Sequence, residues 1–172
     1  APDIYWTLLR RGKSALGCFG DHFEGERYLN TGGADGFFVL TDVSPAPGGC
    51  YLVRNTHVTQ STIKPFEGEL EKRFLVPLIK ETTKVDKRIE IRESDAYCLV
   101  VSQTPSKKLE AYIRWGESNG YHARSVTRHQ KPWYKPTRQM LSAGRFLVPR
   151  SFNDTFAIYH NPREFLSLRF YR

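Results

Sequence analysis

Cysteine is scarce in this chain, and the three present, Cys18, Cys50 and Cys98, stand far apart and never in a C-x-x-C pair. That spacing excludes a dense disulfide framework and a cysteine-rich zinc site, and it fits a reducing, cytoplasmic setting. The five histidines, His22, His57, His122, His129 and His160, are equally scattered, so a metal site has little support. No apolar run approaches the roughly 20 residues that a membrane-spanning helix needs, and no membrane partner is expected. No charged-then-apolar leader opens the chain, and Ala1-Pro2-Asp3 without an initiator Met reads as the middle of a longer polypeptide. Catalytic signatures are missing as well. No Asp or Glu has a Lys two places on, the triplet that metal-dependent nucleases use to hold a cation and a base. There is no G-x-S-x-G elbow, no Walker loop and no H-E-x-x-H. No catalytic residue, metal or cofactor is therefore assigned to these residues.

What is abundant is apolar and cationic. A hydrophobic fraction of 40% and an aromatic fraction of 13% argue for a packed chain rather than a disordered one. A length of 172 residues suits one domain, spanning positions 1–172, with a substantial core. Lys and Arg number 26 against 18 Asp and Glu, a formal charge of +8, which is compatible with a polyanionic partner. The acids gather at Glu67 to Glu71 and Glu90 to Asp95, whereas bases dominate after Lys107.

The most informative stretch is Lys107 to Arg138. Leu109, Tyr112, Ile113 and Gly116 recur at i, i+3, i+4 and i+7, the stripe of an amphipathic helix, with Thr104 and Pro105 suited to its start and Asn119-Gly120 to its stop. Beyond the stop, Arg124, Arg128, Lys131, Trp133, Tyr134, Lys135 and Arg138 interleave cations with flat rings, and no acid lies between Tyr121 and Arg138. A polyanion with stackable bases would select that pattern. The ordinary alternative is a solvated loop anchored to the core by Trp133 and Tyr134.

Elsewhere, strands are expected at Phe23–Asn30, at the buried run Phe37-Phe38-Val39-Leu40, at 51–59, at Ala96–Val101 and in three short pieces at 145–149, 155–159 and 165–171. Ile4 to Arg11 reads as a helical turn or a docking segment, and Arg88 to Arg92 alternates as a strand with one wet face. Ser44 to Gly49 reads as a surface turn, Phe66 to Leu75 as a short helix ending near Pro77, and Glu81 to Lys87 as a loop. The glycine-rich Thr31-Gly32-Gly33-Ala34-Asp35-Gly36 is either a plain hairpin turn or a place where backbone amides meet a phosphate. Helix and strand signals mix without a βαβ rhythm, which predicts an α+β fold with a mixed sheet and a few helices.

Several segments, in order, resemble one family. They are Phe19-Gly20-Asp21, the Thr31-Gly32 turn running into Phe37 to Leu40, Phe74 to Lys80, Tyr97 to Val101, Tyr112-Ile113-x-Trp115-Gly116-Glu117 with Gly120-Tyr121, Arg128, Lys131-Pro132-Trp133-Tyr134, Phe146 to Pro149 and Asn161-Pro162. Together they resemble the C-terminal target-recognition domain of adenine-specific DNA methyltransferases from restriction-modification and phage-defence systems. The resemblance implies a module that grips double-stranded DNA beside a catalytic domain of the same polypeptide, which would bind S-adenosylmethionine. This chain has no Pro-Pro pair and so lacks that catalytic signature, and the usual Asn of the Thr-Gly turn is absent, Gly33, Ala34, Asp35 and Gly36 following Gly32. DNA contacts are expected at Thr31, Gly32, Arg124, Arg128, Lys131, Trp133, Tyr134, Lys135 and Arg138. The rivals are a single-strand or RNA-binding module, a protein-docking domain without nucleic-acid contact, and an enzyme fragment completed by another chain.

Overall fold

In the computed structural model, the described residues are 7, 10–12, 31–81, 90–136, 141, 143–149, 157–168 and 170–171. The expected strand at Phe23–Asn30, the Phe19-Gly20-Asp21 segment, nearly all of the Glu81–Lys87 loop and Arg138 lie outside them. Within the first segment, Thr7, Arg10 and Arg11 are helical.

The fold is α+β, as expected. A helical turn, α1 (Asp35–Phe38), leads into β1 (Val39–Leu40), and an antiparallel meander follows: β2 (Asp42–Ala46), β3 (Cys50–Asn55) and β4 (Phe66–Glu71). Next come β5 (Leu75–Ile79), β6 (Ala96–Leu99) and the long helix α2 (Lys107–Ser118). The C-terminal part adds β7 (Phe146–Pro149), β8 (Tyr159–His160), β9 (Leu166–Ser167) and β10 (Phe170–Tyr171). A mixed sheet runs in the order β1-β6-β5-β9, with β9 parallel to β5 and the other pairs antiparallel. The apolar run Ala96–Val101 supplies a central strand because both its faces are covered. Leu99 joins Leu40 and Leu75 in the core under α2, while Ala96 and Cys98 join Val39 and Leu78 on the other side. Cys50 and Cys98 are buried free thiols, and burial pushes the Cys98 thiol up to about 12, so it serves as packing.

Helix α2 starts and stops on sequence signals. Its cap is Ser106, whose side chain accepts from Leu109 N at 3.2 Å, two residues later than the expected cap at Thr104. Asn119 ends the helix and Gly120 turns left-handed at φ 71°, as its residue type suggested. The four stripe residues Leu109, Tyr112, Ile113 and Gly116 are all buried.

Three local expectations are corrected. Phe37 and Phe38 are helical, and only Val39–Leu40 is strand. A continuous apolar run has no period to separate the two states, and here Ala34 O accepts from Phe37 N at 2.9 Å and Phe38 N at 3.2 Å. Phe66 to Leu75 is β4, a 3-10 turn at Lys72–Phe74 and the start of β5, not a helix. Phe66, Leu70 and Phe74 are four apart, a spacing that strand and helix share, and the charged Glu69 and Arg73 at i+3 spoil the helical stripe. Ser44, Pro45 and Ala46 belong to β2, and the turn is confined to Pro47–Gly49, where Gly48 and Gly49 have φ of 67° and 71°. An edge strand tolerates Pro45 because its outward amide need not pair.

A buried polar knot joins these elements. The Tyr112 hydroxyl donates to Phe37 O at 2.8 Å and accepts from Asn55 Nδ2 at 2.7 Å, while Asn55 Nδ2 also donates to Gly36 O at 2.7 Å. Asn55 Oδ1 accepts from His57 N, and Asn119 Oδ1 accepts from Thr59 N at 2.9 Å. The Phe37 and Tyr112 rings stack at 4.9 Å. Removing one hydroxyl would leave the Phe37 carbonyl without its donor, at a cost of about 1–3 kcal/mol. Tyr112→Phe should therefore lower the melting temperature by several degrees (~2–4 °C per kcal/mol for a chain of this size). An unchanged melting curve would show that the knot contributes nothing net.

Candidate nucleic-acid interface

The segment after α2 is built on three inward anchors. Tyr121 is buried, and its hydroxyl donates to His57 O at 2.7 Å. Burial pushes its phenol above the ordinary value, and the Arg124 guanidinium partly opposes that shift. Thr127 is wholly buried, its hydroxyl donating to Tyr121 O. Trp133 rests 4.6 Å from the Phe37 ring and donates from Nε1 to Glu117 Oε1 at 3.1 Å. Between the anchors the chain makes short turns: Tyr121–Ala123 and Thr127–His129 are 3-10, and Arg128 N donates to Arg124 O at 3.0 Å. The Gln130 carboxamide, with its nitrogen turned inward, reaches Lys135 O at 2.8 Å and Trp133 O at 3.1 Å, which closes the loop at 131–135.

Because the anchors point in, the cations point out. Arg124, Arg128, Lys131 and Lys135 are all exposed. None of them forms an ion pair among the described residues; Arg128 Nε donates instead to His129 Nε2 at 2.9 Å. The acids are differently placed. Glu67 pairs with Arg54 at 3.0 Å, Glu69 with Lys108 at 2.6 Å and Glu164 with Arg145 at 3.2 Å. Such surface pairs add little stability, but they cancel field locally. Four exposed cations without an ion-pair partner among the described residues are thereby left over residues 124–135.

Trp133 and Tyr134 are half-buried, each packed against the core under α2. Trp115 is likewise half-buried, donating from Nε1 to Lys64 O at 3.0 Å. Thr31 is 2% exposed and gives its hydroxyl to Asp35 Oδ1, so its side chain faces inward.

The fold also brings the Thr31-Gly32 turn, distant in sequence, against the basic segment. Ser125 Oγ donates to Gly32 O at 3.0 Å, and Val126 Cγ2 lies 2.4 Å from where a Gly32 Cβ would sit. Ser125 and Val126 escaped sequence reasoning, because neither a serine nor a valine stands out among cations. Asn161, in the tail motif, is fully buried; it donates to Gly144 O and Phe165 O, both at 2.9 Å, and accepts from Phe165 N at 3.1 Å. Its amide is spent on holding a turn.

No family model, curated protein or solved structure matches the chain. Among the described residues no group of three or more His, Cys, Asp or Glu could hold a metal ion, and no helix is long and apolar enough to cross a membrane.

Two glycines should prove indispensable. Gly32 has φ 60° as well as the Val126 contact, so Gly32→Val should melt well below the parent or fail to fold. An unchanged melting curve would contradict the close packing. At Gly116 an added Cβ would lie 2.5 Å from the Phe37 ring and 2.9 Å from Trp133 Cη2. Alanine improves helix propensity by about 1 kcal/mol, yet overpacking costs about 1–3 kcal/mol. Gly116→Ala should accordingly lower stability and alter Trp133 fluorescence; a higher melting temperature would mean that the notch is loose.

Proposed function

We propose that this chain is a double-stranded DNA-recognition module that serves an S-adenosylmethionine-dependent adenine methyltransferase domain of the same polypeptide, in the cytoplasm. The observation that carries the reading is the row of exposed cations, Arg124, Arg128, Lys131 and Lys135, on a backbone anchored by Tyr121, Thr127 and Trp133. Fixed cations without carboxylate partners suit the regular phosphates of a duplex, and each neutralised phosphate releases condensed counterions. The seating of Trp133 and Tyr134 favours duplex over single strands, since single-strand binders rely on rings free to stack on bases. The methyltransferase connection rests on the ordered motifs from Phe19 to Pro162.

The roles of the cations differ in this reading. Lys135 meets phosphate as a point charge, whereas the Arg128 fork suits a guanine edge. Duplex binding measured by fluorescence anisotropy should weaken steeply with salt, with a slope near −3 to −4 if about four phosphates are contacted. Lys135→Ala should weaken all sequences alike and reduce that slope by about one. Arg128→Ala should cost roughly 1–3 kcal/mol and relax preference at one base pair. Single strands of the same sequence should bind less tightly, and the isolated chain should transfer no methyl group from S-adenosylmethionine. Binding that ignores salt and both substitutions would remove the duplex reading in favour of protein docking.

A further inference from the structure

Gly33 shares three properties with Gly48 and Gly49, and it alone of the three adjoins the basic segment. It is exposed, its φ is 91°, and among the described residues no atom beyond its chain neighbours lies within 4 Å of where a Cβ would stand. Gly32 beside it is walled in by Val126, and Thr31 is turned into the core, so Gly33 is the open point of the turn. Its N–H meets no acceptor among the described residues, whereas Ala34 N is bonded to Thr31 O at 3.2 Å. The turn is also fixed in place. The Ser125 hydroxyl holds Gly32 O, Arg124 flanks Ser125, and the Arg128 amide is bonded to the Arg124 carbonyl. The carboxylate on the turn, Asp35, is engaged by the Thr31 hydroxyl.

We infer that Gly33 is a phosphate contact: one backbone phosphate of a DNA duplex seats over it and accepts its N–H, with Arg124 alongside. This inference rests on the duplex reading above, and it adds the Gly33 backbone to a surface otherwise made of side chains. Glycine is required at such a point because any side chain would hold the phosphate away from the amide. Positive φ favours glycine here too, and asparagine is among the side chains that strain least in left-handed backbone. Gly48 is the internal comparison. It has φ 67° and equal open space, but it lies on the β2–β3 turn, outside the basic segment.

The test compares Gly33→Asn, Gly48→Asn, Arg124→Ala and the parent, each in duplex binding and in thermal melting. Gly33→Asn should bind duplex about tenfold more weakly, the loss of one hydrogen bond to a charged group, while melting no lower than Gly48→Asn. Gly48→Asn should bind as the parent does. A second measurement needs no substitution: on titration of the 15N-labelled parent with duplex, the Gly33 amide proton should move downfield and the Gly48 amide should stay. If the parent binds duplex with the expected salt dependence and Arg124→Ala weakens it, but Gly33→Asn binds normally or the Gly33 amide does not move, the inference is overturned and the duplex reading stands. If the parent shows no salt-dependent binding, both fall together.

Discussion

A single phenolic hydroxyl ties together the three elements on which the rest of the structure hangs. Tyr112 lies on α2, donates to the carbonyl of Phe37 in α1 and receives the Asn55 amide from the end of β3. Each of those groups is buried, so each would be costly without its partner. The arrangement fixes where α2 sits on the sheet, and α2 in turn carries the Gly116 notch into which Phe37 and Trp133 fit. The basic segment is thus held by an interior hydrogen bond some distance from any of its charges.

Charge follows the same division of labour. On β4 the acids face cations close at hand, from β3 and α2, and their fields largely cancel. Between Asn119 and Lys135 the chain changes character: its anchors are Tyr121, Thr127 and Trp133, and Arg124, Arg128, Lys131 and Lys135 have no acid within pairing distance among the described residues. The anchoring side chains are themselves neutral, Trp133 reaching the Glu117 carboxylate. An anchor made by an ion pair would have consumed part of the positive field that it was holding in position.

How much of this was legible in the residues depended on the kind of signal. The helix over 109–116 and the stop at Asn119-Gly120 were readable, because a 3.6-residue stripe and a left-handed glycine are local properties. The central strand at Ala96–Leu99 was readable from its unbroken apolar run. Phe37-Phe38 and Phe66-Leu70-Phe74 were not, since one has no period and the other has a spacing common to both periods. At the interface the cations were evident in sequence. The inward turn of Thr31 and the seating of Trp133 and Tyr134 were not, because they depend on contacts with Asp35 and with Phe37 and α2, which only the folded chain brings together.

Pro45 has a consequence for how copies of this molecule would behave when crowded. Strand β2 forms the outer rim of its sheet, and among the described residues it pairs with β3 alone, Pro45 lying opposite Tyr51. A proline there deletes one of the donors that a neighbouring strand would need, and the exposed Asp42 at the strand's start adds charge that another copy would have to desolvate. Molecules crowded side by side reach local concentrations at which bare sheet rims fuse. This rim is blunted against that outcome, so neighbours could sit close together without becoming a fibril.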